Sequence, residues 1–315
     1  MAKKAVKRGK VSAASAKKSP IKAKAVTAAQ LVRDAARRLK AARVTFAHGT
    51  SEPIAEAAFI VSECLGFHPD RFDEFAGRRV TQAQAARIRG LVDARIATRK
   101  PAAYLLNKIY MRGVPFYIDE RAIVPRSYLG EILDTHFGDD GMLLDPKRVT
   151  RVLDLCTGSG CLAILAARHF RHAHIDTVDL SGDALEVARR NVADHKLGRR
   201  ITLYQGDLFS PLGDNQYDLI ISNPPYVDAE GMANLPRECR YEPATAFDGG
   251  IDGIAITRRI IDAAPRWLKP GGGLLCEVGR CKPALEQAYP RTPFLWLDTE
   301  ESEGEVFWLA ADGSN

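Results

Sequence analysis

The chain has 315 residues, 46% of them hydrophobic and 27% charged, enough apolar material for one large core and a smaller one. No apolar run approaches the length that spans a bilayer, which argues against a membrane-spanning helix. The net charge of +6 is misleading: residues 1–33 hold ten Lys or Arg and no acid, leaving 35 basic against 39 acidic residues in the remainder. A body of that balance lacks the positive surface expected of an enzyme that grips a nucleic-acid backbone.

Residues 1–25 are mostly Lys, Ala, Ser and Val, with one Pro, and read as a disordered basic tail. Its charge would draw it weakly to RNA. A transit peptide is disfavoured because only Arg8 and Arg33 among the ten cations are arginine. From 26 to 100 the apolar spacing predicts a helical domain. Ala28, Leu31, Val32, Ala35 and Leu39 mark a first helix, 54–66 a second, and Ala85, Ile88, Leu91, Val92 and Ile96 a third between Thr81 and Thr98. Residues 101–130 form a linker. Met111 to Pro115 reads there as a turn, and Phe116-Tyr117-Ile118 with Ala122-Ile123-Val124 as a β-hairpin around Asp119-Glu120-Arg121.

Residues 131–315 read as the larger domain. Strands are expected near 150–155, 174–179, 201–205, 217–222, 273–278, 294–298 and 304–310, and helices near 160–170, 182–196, 253–268 and 281–288. This alternation predicts an α/β, Rossmann-like, mostly parallel sheet. The last two strands have no helix between them and would pair antiparallel at an edge. The cysteines (Cys64, Cys156, Cys161, Cys239, Cys276, Cys281) show no CxxC spacing and lie mostly in apolar runs. They read as reduced thiols of a cytoplasmic protein, with no metal site. His169, His172 and His174 read as a solvated helix end.

Val152 to Cys161 runs from an apolar strand into a helix through Cys156, Thr157, Gly158, Ser159 and Gly160. The glycines let the backbone turn sharply and approach a ligand closely. A dinucleotide site would want a third glycine and a pyrophosphate on the helix N-terminus. Here Asp154 closes the strand instead, an acid suited to the methionyl ammonium of S-adenosyl-L-methionine. Asp179 ends the second strand, where a carboxylate accepts ribose hydroxyls. Asp207 ends the third, placed to accept from an adenine amine while Leu208 packs on the ring. Each acid alone also reads as a cap or turn. Three at successive strand ends beside the glycine loop point to S-adenosyl-L-methionine.

Asn223-Pro224-Pro225-Tyr226 directly follows the strand 217–222. The Asn223 side-chain oxygen and the Pro224 carbonyl can accept both hydrogens of one NH₂ group, and Tyr226 can stack on the flat group that carries it. An amide or aromatic amine is a poor nucleophile because its lone pair is delocalised, and two acceptors direct and enrich that lone pair. Adenine, cytosine and glutamine all present such a nitrogen.

Tyr104 to Lys108, Ile118 to Ser127, Glu242-Pro243 and Gly250 to Gly253 resemble the bacterial protein-(glutamine-N5) methyltransferases, and the likeness spans roughly 27–311. Pro125-Arg126-Ser127-Tyr128-Leu129-Gly130, Asn107-Lys108, Val227 to Glu230, and Thr257 to Ile260 are similar to the branch specific for large-subunit ribosomal protein L three. Cys156 also matches that branch, whereas Tyr128 departs from the proline expected after Ser127. The resemblance implies that Cys156 to Gly160, Asp179, Asp207 and Leu208 line the cofactor, that Arg126 lies on a segment covering it, and that Asn223 to Tyr226 hold a glutamine amide. It further implies that 228–250 form a flap over the substrate peptide. Competing readings are a release-factor glutamine methyltransferase, an adenine-N6 nucleic-acid methyltransferase and a non-catalytic ribosome-assembly factor.

Overall fold

A computed structural model describes Met1, residues 26–137 and residues 143–311; the rest of the basic tail lies outside the described residues. Three helices, α1 (Ala28–Ala41), α2 (Pro53–Leu65) and α3 (Gln82–Thr98), build the N-terminal part. Capping boxes start α1 (Thr27 with Gln30) and α3 (Thr81 with Gln84), each satisfying two orphan backbone donors. Gly66, at φ +78°, ends α2 in the left-handed conformation that favours glycine. The helices share their own core, including Leu31, Leu39, Ile60, Val61, Ile88 and Val92.

The core face of α3 also carries Arg95, which is completely buried. Its Nε donates to Glu56 Oε1 at 2.8 Å, Nη2 to Thr45 O at 2.9 Å and Nη1 to Arg99 O at 2.8 Å. Leu91 and Ile96, expected on this face, are only partly buried.

A short helix α4 (Ala102–Leu106) leads into the linker. The hairpin is displaced from its expected position: β1 (Ile109–Met111) pairs with β2 (Val114–Phe116). Arg112 and Gly113, at φ +49° and +70°, form the turn. Positive φ at both central residues matches the twist of a two-residue hairpin. The 118–124 segment is instead a loop pinned by its apolar residues, with Ile118 and Val124 fully buried.

After α5 (Leu129–His136) come β3 (Arg151–Leu155), α6 (Cys161–His169), β4 (His174–Asp179), α7 (Gly182–Asp194), β5 (Ile201–Gln205) and β6 (Tyr217–Ser222). Then follow α8 (Ala255–Trp267), β7 (Leu268–Glu277), α9 (Lys282–Ala288), β8 (Leu295–Leu297) and β9 (Val306–Ala310). The sheet order is β8-β9-β7-β6-β3-β4-β5, with β8 and β9 antiparallel as expected and the other five strands parallel. Alternate residues feed the two faces. Val152, Leu219, Ile221 and Trp308 pack with residues of α5, α6 and α7, whereas Leu153, Ile220 and Phe307 pack with residues of α8 and α9.

The chain winds outward from β3 through β4 and β5, then returns to lay β6 on the other side of β3. Leu155 pairs with Ser222, so the loops that follow these two strands emerge side by side. Such a switch point opens a crevice at the carboxyl ends of a parallel sheet, the usual place for a ligand.

Candidate active site

The glycine loop forms one wall of this crevice. Cys156, Gly158 and Gly160 all take positive φ, +58°, +55° and +78°. A Cβ on Gly160 would meet Ala188 Cβ at 3.1 Å, so the loop lies tight against α7. Gly158 N donates to Asp179 Oδ2 at 2.7 Å, and Ser181 N to Asp179 Oδ1 at 2.9 Å. Burial pushes the Asp179 carboxyl up, and the backbone N–H groups that bind it act in the opposite direction.

Asp154 is placed differently from expectation. It is fully buried beneath the loop, accepts from Thr157 Oγ1 and lines neither cavity of the crevice. Burial pushes its pKa up to about 7. It holds the loop in shape, and direct contact with a methionyl ammonium does not follow from this position. Gly160 likewise turns the chain without lining a cavity.

The larger cavity, about 550 Å³, is lined by Asp179, Asp207, Leu208, Asn223, Pro225 and Ile256 among others. That volume falls in the ~300–1,000 Å³ range of small-molecule sites. Its mixture of strand-end carboxylates and apolar walls fits a nucleoside with free hydroxyls and a flat base. Asp207 also accepts from Arg259 Nη2 at 2.8 Å, a partner that sequence reasoning missed.

The smaller cavity, about 200 Å³, adjoins it and is lined by Arg126, Asn223, Pro224, Tyr226, Leu235 and Phe247, with Thr157 and Ser159 from the glycine loop. Asn223 borders both cavities. Its Nδ2 donates to Arg126 O at 3.3 Å, which leaves Oδ1 to act as an acceptor. Tyr226 Oη donates to Glu277 Oε1 at 3.0 Å. Glycines enclose this tyrosine: a Cβ on Gly279 would come within 2.6 Å of its ring, and one on Gly253 within 2.6 Å of its carbonyl.

Residues 123–127 roof the site, gripped by two buried carboxylates. Glu242 accepts from Val124 N at 2.9 Å and from both terminal nitrogens of Arg126 at 3.2 and 3.1 Å. Glu277 accepts from Ser127 Oγ at 2.6 Å and Tyr128 N at 3.0 Å. Complete burial pushes Glu277 up to about 7. For Glu242, burial acts upward, but His48 and Arg126 outweigh it and hold the carboxyl below its usual range. The expected flap contains a short helix at Ala229–Ala233 and 3-10 turns at Arg237–Tyr241 and Ala244–Ala246, and its Leu235 and Phe247 close over the smaller cavity.

Glu277 could have been found from the sequence, since it is a lone acid closing an apolar strand, the same signal that marks Asp154 and Asp179. The six cysteines are free thiols, five of them buried. Among the described residues, His48, Cys239 and Glu242 are the one trio close enough to share a metal ion. The Arg126 guanidinium on Glu242 opposes a cation there. No helix among the described residues is long and apolar enough to cross a membrane.

The sheet and its crevice define a class I S-adenosylmethionine-dependent methyltransferase. Residues 142–235 match the model of the methyltransferase small domain. The chain is 62% identical to a ribosomal protein uL3 glutamine methyltransferase of Bradyrhizobium diazoefficiens over 91% of each chain. It is 46% identical to the protein of that name from Bordetella pertussis, over 92% of this chain and 96% of the other. Among solved structures it is similar to a ribosomal protein L11 methylase of Lactobacillus delbrueckii subsp. bulgaricus, at 22% identity and a TM-score of 0.38, covering 59% of this chain and 79% of that one. The chain belongs to the family of ribosomal protein uL3 glutamine methyltransferases.

Proposed function

We propose that this enzyme transfers a methyl group from S-adenosylmethionine to the side-chain amide nitrogen of a glutamine in ribosomal protein uL3, in the cytoplasm where ribosomes are made. The observation that carries the reading is the place of Asn223, at the junction of a nucleoside-sized cavity and a smaller roofed one.

The cofactor supplies an electrophilic methyl on a sulfonium. Asp179 accepts from its ribose hydroxyls, Asp207 from its adenine amine, and Leu208 packs on the base. Cys156 to Ser159 wall its amino-acid end. In the smaller cavity Asn223 Oδ1 and the Pro224 carbonyl accept the two hydrogens of the glutamine amide, and Tyr226 lies against the amide plane. Pro225 has no backbone N–H and stiffens the turn that presents these acceptors. Orientation and fixed dipoles lower the barrier, and no general base of tuned pKa is required, because the nitrogen proton becomes acidic once the methyl is transferred. The Lys-rich segment at residues 1–25 is proposed to add electrostatic attraction to RNA near the substrate.

The test is incubation of the full chain with methyl-labelled cofactor and, separately, uL3, a release factor and nucleic acid. Label on one glutamine of uL3 is expected. Label on the release factor or on nucleic acid alone would overturn the reading.

A further inference from the structure

The helical part touches the flap through polar contacts. Thr45 N donates to Glu238 Oε1 at 3.0 Å, and Tyr241 Oη donates to Thr98 O at 2.5 Å. One contact goes further. His48, on the loop between α1 and α2, is 4% exposed and places Nε2 3.0 Å from Glu242 Oε2. Glu242 holds the guanidinium of Arg126 and the backbone N–H of Val124, and the carbonyl of Arg126 accepts from Asn223 Nδ2.

We propose that His48 is a positioning residue for Asn223, acting through Glu242 and Arg126, so that docking of the helical part sets the geometry of the amide pocket. The inference rests on Asn223 being the residue that holds the substrate amide. His48 and Arg126 share the Glu242 carboxylate, and each limits how far it can rotate. Without His48 the carboxylate loses a donor on Oε2, and the 124–126 segment follows it. The Arg126 carbonyl, and with it the Asn223 side chain, then loses its fixed place. A reaction with no tuned base depends on orientation, where a displacement of about 1 Å can cost roughly 100-fold in rate. The other use of this cluster, a metal bound by His48, Cys239 and Glu242, conflicts with the guanidinium already on the carboxylate.

The experiment compares the full-length protein with His48→Ala, His48→Phe, His48→Gln and Tyr110→Phe. Hydrogen–deuterium exchange of residues 122–128 and steady-state methylation of uL3 are measured on each. His48→Ala, or His48→Phe, which fills the space without a donor, should speed exchange in 122–128 and lower kcat roughly 10- to 100-fold. KM for uL3 and for the cofactor should stay within about threefold, as expected when orientation is lost rather than binding. The amide of His48→Gln can still donate to Glu242 and should restore most of both signals. Tyr110→Phe removes another hydrogen bond of the helical part, from β1 to Glu63 of α2 at 2.6 Å, without touching the relay and should change neither. Unchanged exchange in the donor-less variants, equal loosening by Tyr110→Phe, no recovery in His48→Gln, or stoichiometric zinc in the purified protein would each overturn the proposal. If wild-type enzyme leaves uL3 unlabelled, the substrate reading fails while the exchange data still decide the relay.

Discussion

Asn223 has one side-chain group fixed by the Arg126 carbonyl and the other available as an acceptor. Asn223→Ala keeps the turn and the two prolines but removes that acceptor. It should lower kcat by about 100- to 1,000-fold, the range for losing one preorganised group at a reacting centre. Affinity for S-adenosylhomocysteine, measured by calorimetry, should change little. A non-catalytic assembly factor would keep its function after this substitution. Glu277 allows a different test. Burial lifts it from an ordinary 4.5 to about 7. The folded protein therefore keeps a proton that the unfolded chain releases, so the contribution of Glu277 itself is most favourable below about pH 4.5 and is lost as pH rises through about 7. Glu277→Gln keeps the shape without the charge. It should raise the melting temperature at pH about 8, by up to about 3 kcal/mol of stability, with no gain at pH about 4. The acids at strand ends were legible because each interrupts an apolar run. Asp154 shows the limit of that signal: an acid at a strand end can equally point under the loop, and only the turn at Cys156 decides which.

Elements with a strong period were legible in place. All seven sheet strands and the four helices of the sheet domain named from sequence occur close to their expected positions, because two-sided burial makes β3 and β6 nearly continuous apolar runs. The hairpin was misplaced because Met111 to Pro115 carries both its turn and parts of its strands, a segment too short for period-2 alternation to show. Two glycines separate backbone strain from packing. Gly113, at φ +70° in the hairpin turn, has open space where a Cβ would stand. Gly113→Ala should cost about 1 kcal/mol in thermal melts and leave activity intact. Gly253, at φ +77°, has Cys281 Sγ at 2.4 Å and the Tyr226 carbonyl at 2.6 Å from that point. Gly253→Ala adds a clash to strain of about 1–3 kcal/mol, and it should also lower kcat by displacing Tyr226.

Across the whole molecule, the helical part and the sheet part have separate apolar cores and meet through charged groups. That meeting was not legible. Arg95 and Glu56 look like ordinary exposed helix charges, and nothing in their spacing tells that they are 0% and 2% exposed. Only the approach of α2, α3 and the flap buries them. Breaking such a pair is costly because the partner stays buried and uncompensated. Arg95→Ala should destabilise the protein by about 3–5 kcal/mol, read as a lower midpoint of urea unfolding. Arg38 with Asp93 is a surface pair by comparison, and Arg38→Ala should cost under about 1 kcal/mol.

In the proposed site, the two acceptors beside the transferred methyl would also set stoichiometry. A primary amide would satisfy both the Asn223 and the Pro224 oxygens, but a methylated amide has only one hydrogen left to give. Its rebinding would leave one carbonyl without a donor beneath the roof segment, a loss of about 1–3 kcal/mol on top of the space the new methyl needs. The enzyme should therefore act once per glutamine and let go, and intact mass of exhaustively treated uL3 should show a single methyl with no dimethylated species.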